Sequence, residues 1–177
     1  MAMIRVRVEG VGLDSNHGPV VVLKEMDGER VLPIWIGHHE AQAIQMKLEG
    51  HEYGRPLTHD LMQNLLSGLN AKLVRVDITE LKDATYYAEL VLQTPGGEVK
   101  VDARPSDSIA LALRCDAPLY AHESLFRLTG IAQSEEQEEA EAEAESDEDK
   151  AARRRAELQR RLRNTDPGEF GYYKLGG

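Results

Sequence analysis

The sequence predicts an α+β fold: two β-β-β-α-α repeats forming one domain around a curved, barrel-like mixed sheet, followed by an acidic linker and a C-terminal helix. Three observations predict it. Segments with strand period and segments with helix period follow one another in the same order twice, over residues 3–70 and 71–131. Equivalent residues recur at matching places in the two copies. Composition then changes abruptly: ten acidic residues and no basic ones lie between Ala132 and Asp149, a number equal to the whole formal net charge of −10.

The opening segments of the two copies, Ile4-Arg5-Val6-Arg7-Val8-Glu9 and Leu73-Val74-Arg75-Val76-Asp77-Ile78, alternate apolar and polar residues as half-buried strands do. Second strands follow at 19–24 and 87–92. Each leads into a turn, Asp27-Gly28 or Gly96-Gly97, and so reads as part of a hairpin. Third strands, Val31–Ile36 and Val99–Ala103, run directly into helical sequence after Gly37 and Arg104. In those helices Glu40 matches Asp107, Ala43 matches Ala110, and Lys47 matches Arg114.

A second helix is expected in each copy, beginning at Pro56-Leu57-Thr58-His59-Asp60 and at Pro118-Leu119-Tyr120-Ala121-His122-Glu123, so that His59-Asp60 matches His122-Glu123. Leu61, Met62, Leu65, Leu66 and Leu69 recur at helical spacing, which predicts a face packed on the sheet. Half a domain of some 60 residues would leave sheet edges open. The copies therefore belong together in one unit spanning 1–131.

Residues 1–131 carry 18 Asp/Glu against 13 Lys/Arg, and residues 150–177 carry 3 against 8. A tight passive nucleic-acid binder needs a basic face. The acidic body argues against that class, although not against an enzyme that meets phosphate through bound cations. Cys115 is the only cysteine, which excludes a disulfide framework and a thiolate zinc site. The alternately charged N-terminus has no signal-like apolar core, and no later run reaches membrane-spanning length, so a cytoplasmic protein without membrane attachment is expected. Phosphate-binding glycine loops, Gly-x-Ser-x-Gly elbows and paired cysteines are missing, which disfavours serine and thiol chemistry.

Three ordered segments carry a resemblance: Leu32-Pro33-Ile34-Trp35-Ile36-Gly37 with Glu40-Ala41, Arg55-Pro56-Leu57-Thr58-His59-Asp60-Leu61, and Asp102-Ala103-Arg104-Pro105-Ser106-Asp107-Ser108-Ile109-Ala110-Leu111-Ala112. Together they resemble the signature blocks of the bifunctional nuclease family over nearly all of residues 3–131. The resemblance implies a nuclease acting on DNA and RNA, on an α+β fold that forms small homo-oligomers, with a dimer favoured. The alternative is a non-catalytic oligomeric binding or regulatory module that keeps the fold.

Which residues would do the chemistry follows from what phosphodiester hydrolysis needs, namely an activated water and a positive field around phosphorus. Glu40, Asp60 and Asp107 are the candidate ligands of Mg²⁺ or Mn²⁺. His59, with Asp60 and Asp107, forms the candidate catalytic set, and Arg55 and Arg104 are the candidate phosphate-holding residues, since a guanidinium offers parallel donors to phosphate. A bland reading stands beside each assignment. An acid at the third helical position satisfies free N–H groups and faces the positive end of the helix dipole, which describes Glu40, Asp60 and Asp107 equally well. Arg104 would then pair with Asp107 or Asp102, and Arg55 would hold its own helix corner. His38 and His39 point some 100° apart on a helix and are not expected to share an ion. Trp35, opposite Pro33, is expected in the core, the alternative being an exposed indole near the site that stacks on a base.

Residues 132–149 read as a solvated acidic linker. Residues 150–163 read as a basic helix with a thin apolar line, and the aromatic segment near 170–175 as a tail that docks on a body or partner.

Overall fold

A computed structural model describes residues 2–15 and 17–126; the linker, basic helix and tail expected over 132–177 lie outside the described residues. By its contacts the chain divides after Gly130. The described part contains β1 (Met3–Asp14), β2 (Gly18–Glu25), β3 (Val31–Trp35), α1 (His38–Leu48), α2 (Thr58–Gly68), β4 (Lys72–Lys82), β5 (Thr85–Thr94), β6 (Gly97–Ala103), α3 (Pro105–Cys115) and β7 (Leu119–His122). The fold is α+β, as the alternating patterns predict.

All seven strands form one open sheet in the order β3-β2-β1-β7-β4-β5-β6. Each copy contributes an antiparallel meander, and β7 joins them, antiparallel to β1 and parallel to β4. The sheet is therefore mixed. It also curls: the Tyr86 hydroxyl on β5 donates to the carbonyl of Pro33 on β3 at 3.5 Å, although four strands lie between them in the sheet. Bulges in β1 near Val8–Gly10 and in β4 near Leu73–Arg75 and Ile78–Glu80 add local bend.

The segment at 118–125 departs from expectation. In place of a helix starting at Pro118, Leu119–His122 is a strand and helical backbone begins only at Glu123. Leu119 and Ala121 are buried while Tyr120 and His122 are half-buried, which is a period of two. Backbone groups of β1 and β4 on the two sides of this gap need partners that only extended chain can supply. Tertiary context decided the element. The matching of His59-Asp60 with His122-Glu123 consequently does not carry over to structure, since one pair lies within the first turn of a helix and the other spans the end of a strand and the first helical residue after it.

The core combines Val21, Leu23, Leu32 and Ile34 from the first meander, Val76, Ile78 and Val91 from the second, and Ile44, Ile109 and Leu111 from the helices. α3 is the central helix, with Ser108 through Ala112 all buried, packed against α1, α2, β4 and β5. α2 behaves differently from expectation: Met62 and Leu66 pack on the core, but Leu61, Leu65 and Leu69 are more than half exposed. Its apolar face is wider than the surface available to cover it. Trp35 is likewise not in the core, being 41% exposed on edge strand β3. Among the described residues, no helix is long and apolar enough to cross a membrane.

Candidate active site

Two strand-to-helix corners build the site. β3 ends at Trp35, Gly37 caps α1 with extended backbone (φ −73°, ψ 160°), and Glu40 follows as the third helical residue. β6 ends at Ala103, Arg104 caps α3 in the same conformation (φ −70°, ψ 144°), Pro105 sets the first turn, and Asp107 is again the third helical residue. Because α1 packs against α3, the two corners adjoin.

Arg104 ties them together. Its Nη1 lies 2.9 Å from Glu40 Oε1, and its Nε donates to Asp107 Oδ2 at 2.7 Å. His59, the second residue of α2, places Nε2 at 3.2 Å from Asp107 Oδ1 and is only 8% exposed. Thus Glu40, His59, Arg104 and Asp107, from three separate segments, form one linked cluster. Glycine at position 37 lets Glu40 fold back, since a Cβ there would collide with Glu40 Oε2. The Asp107 carboxyl is held below its ordinary range. Burial is the largest single influence and works the other way, but the hydrogen bonds and charges of Arg104 and His59 together outweigh it.

Asp60 sits elsewhere. Its Oδ2 accepts the Leu57 backbone N–H at 2.9 Å, closing the helix start, and its Oδ1 accepts from Arg114 Nε at 2.5 Å. The Arg114 side chain is 4% exposed, and its remaining donors reach the carbonyls of Ala110 (2.8 Å) and Ala43 (3.2 Å). Asp60 is the counter-ion of a buried arginine. Its carboxyl too is held low, the backbone of Leu57 and Arg114 outweighing the opposing and larger single effect of burial. Arg114 is the residue whose importance sequence reasoning missed. Its signal was present, because a basic residue follows five small or apolar ones, Ile109 through Leu113, and must either escape the core or find an acid.

Among the described residues, no three His, Cys, Asp or Glu side chains gather into a group that could hold a metal. The expected Glu40, Asp60 and Asp107 ligand set is not assembled in this arrangement. Glu40 and Asp107 share Arg104, whose guanidinium supplies the positive charge between them, and Asp60 belongs to Arg114.

Two clefts open here. One, of about 590 Å³, is lined by His39, Glu40, Gln42, His59 and Asp107. The other, of about 320 Å³, is lined by Lys47, Tyr53, Arg55, Asp60 and Asn64. They adjoin, since Met46, Pro56, Leu57 and Arg114 border both. Arg55 is exposed in the second cleft and stands apart from the Arg104 cluster. His39 borders the first cleft and is exposed.

The profile of the bifunctional nuclease domain matches residues 21–134, a span containing every residue of the cluster. The chain belongs to that family. An uncharacterized protein of Mycobacterium tuberculosis (strain ATCC 25618 / H37Rv) is 42% identical over 135 residues, which is 76% of this chain and 80% of the relative. Bifunctional nuclease 2 of Oryza sativa subsp. japonica is 32% identical over 128 residues, covering 69% of this chain and 39% of the rice protein. Bifunctional nuclease 1 of Arabidopsis thaliana is 27% identical over 116 residues, covering 63% and 36%. This bifunctional nuclease domain chain therefore spans less than four tenths of each plant relative's length.

Proposed function

We propose that this chain is a nuclease that hydrolyses phosphodiester bonds of DNA and RNA at the Glu40–His59–Arg104–Asp107 cluster. The observation that carries the reading is the His59–Asp107 pair, an imidazole held by a carboxylate in the wall of a cleft, with the exposed Arg104 guanidinium bonded to the same carboxylate. Family membership and the names of the plant relatives agree with it.

The Arg104 side chain is 66% exposed; with five N–H donors and two carboxylate contacts, it keeps donors for a phosphate. Glu40 and Asp107 hold that guanidinium in place. With the proton of His59 on Nε2, where Asp107 accepts it, Nδ1 is left as the base that takes a proton from water. The water oxygen then bonds to phosphorus, and the ester oxygen leaves, protonated by bulk water. Lys47 and Arg55 in the adjoining cleft hold flanking phosphates. Among the described residues the acids expected to bind Mg²⁺ or Mn²⁺ do not form one group, so these steps are written for the chain's own side chains.

The full-length chain, incubated with end-labelled DNA and RNA and with or without Mg²⁺, Mn²⁺ or a chelator, tests this. His59→Ala, prepared identically, is expected to lose cleavage about a hundredfold or more. Cleavage that survives the substitution comes from a contaminant and refutes the assignment.

A second reading, a non-catalytic self-associating module, is favoured by the exposed Leu61, Leu65 and Leu69 stripe on α2. We propose that this stripe pairs two copies of the chain. A two-copy mass in light scattering that falls to one copy in Leu65→Glu supports the pairing, and an unchanged mass contradicts it.

A further inference from the structure

Arg104 borders a third cavity, of about 250 Å³, formed where the end of β3, the β4–β5 turn and the start of α3 meet; Trp35, Gly37, Tyr86 and Pro105 line it with Arg104. The indole at its mouth serves neither the core nor a helix cap. It is nonetheless held in one orientation, because its Nε1–H donates to Asp14 Oδ2 at 3.4 Å and His17 meets it edge-on, 5.7 Å between centroids and 67° between planes. A large aromatic ring, fixed but exposed, in one cavity with a cation that is ion-paired to Glu40 and Asp107 of the neighbouring cleft, is the arrangement that stacks a nucleobase while the neighbouring phosphate is gripped.

We infer that Trp35 is a base-stacking platform and that the preferred ligand is a single-stranded segment of DNA or RNA, with the base on Trp35 adjacent to the phosphate on Arg104. The inference rests on the nuclease reading. Stacking uses the π-face that every base has, so one platform serves both nucleic acids without reading sequence. A base inside a duplex has both faces occupied by its neighbours and must be unstacked first, which favours single strands.

Trp35 is the only tryptophan of the chain, so intrinsic emission reports on it directly. The full-length protein is titrated with a phosphorothioate thymidine tetranucleotide that resists cleavage, with an abasic oligomer of equal charge, and with a short duplex. Fluorescence anisotropy of end-labelled versions reports binding independently. The tetranucleotide is expected to quench Trp35 emission on binding, and the abasic oligomer to bind more weakly without quenching. Trp35→Ala is expected to weaken tetranucleotide binding about tenfold, Trp35→Phe to restore most of it, and the duplex to bind less well than the single strand.

If the tetranucleotide binds by anisotropy while emission stays constant and Trp35→Ala binds equally, the platform is refuted and the nuclease reading stands. If no oligonucleotide binds, both fall together. Should Trp35→Ala fail to fold, the quenching of the wild type against the abasic control decides by itself, with Trp35→Phe as the folded comparison.

Discussion

At the scale of single residues, acids that looked alike in sequence turn out to do different work. Glu40, Asp60 and Asp107 each stand third in a helix, and local rules treat the three identically. Only long-range geometry separates them: Asp60 neutralises buried Arg114, whereas Glu40 and Asp107 hold an exposed Arg104. Asp60→Ala should therefore cost about 2–4 kcal/mol, at the lower side of what breaking a buried pair costs because Asp60 is about a third exposed, read by chemical denaturation. Gly37→Ala should do the opposite. Its backbone angles suit alanine, but the new Cβ displaces the Glu40 carboxylate, so cleavage should fall about tenfold while stability changes little. Acid sensitivity belongs here as well. The Asp107, Asp60 and Glu25 carboxyls are held below their ordinary values, Glu25 chiefly by its hydrogen bond from Arg30. Groups with lowered folded values stabilise fully above the ordinary carboxylate range and lose that contribution as pH falls through the lowered values. Melting temperature should thus be flat near neutrality and drop below about pH 4, with a shallower drop in Asp107→Asn.

At the scale of elements, most of the described part of the chain was legible. The alternation in β1 and β4, the hairpin turns and the helix starts at His38 and Pro105 follow from period and punctuation alone, and α2 begins at Thr58, two residues after the expected Pro56. The element that was not legible is β7. Four residues are too few to display a period, and the register with the first copy suggested a helix; the demand of two open strand edges overrode both. The fate of α2 was hidden for a related reason, since periodicity shows that a face is apolar but not whether anything covers it. These two elements predict a contrast. Leu119→Ala, buried in the strand that joins the copies, should destabilise by about 2–4 kcal/mol, and Leu65→Ala on a face left open within the single chain by less than about 0.5 kcal/mol, compared by denaturant midpoints at dilutions where both variants are single copies.

At the scale of the described unit, two β-β-β-α runs set two strand-to-helix corners side by side, and the candidate site is built from one acid of each with α2 supplying the histidine between helices. The sequence pattern pointed to His59, Arg104, Asp107 and Glu40, but it could not show that an arginine would lie where a metal was expected. That depends on which side chains face each other across the α1–α3 contact, which no spacing rule encodes. Catalysis by His59 and Asp107 as one unit is the proposal on which the nuclease reading turns. It is tested most directly by single-turnover cleavage in wild type, His59→Ala, Asp107→Asn and the double variant, each checked for an unchanged fold. Residues acting as a unit lose most of their effect with the first removal. A large loss in each single variant and little further loss in the double are expected; losses that multiply, or singles that cleave like wild type, would contradict the pairing.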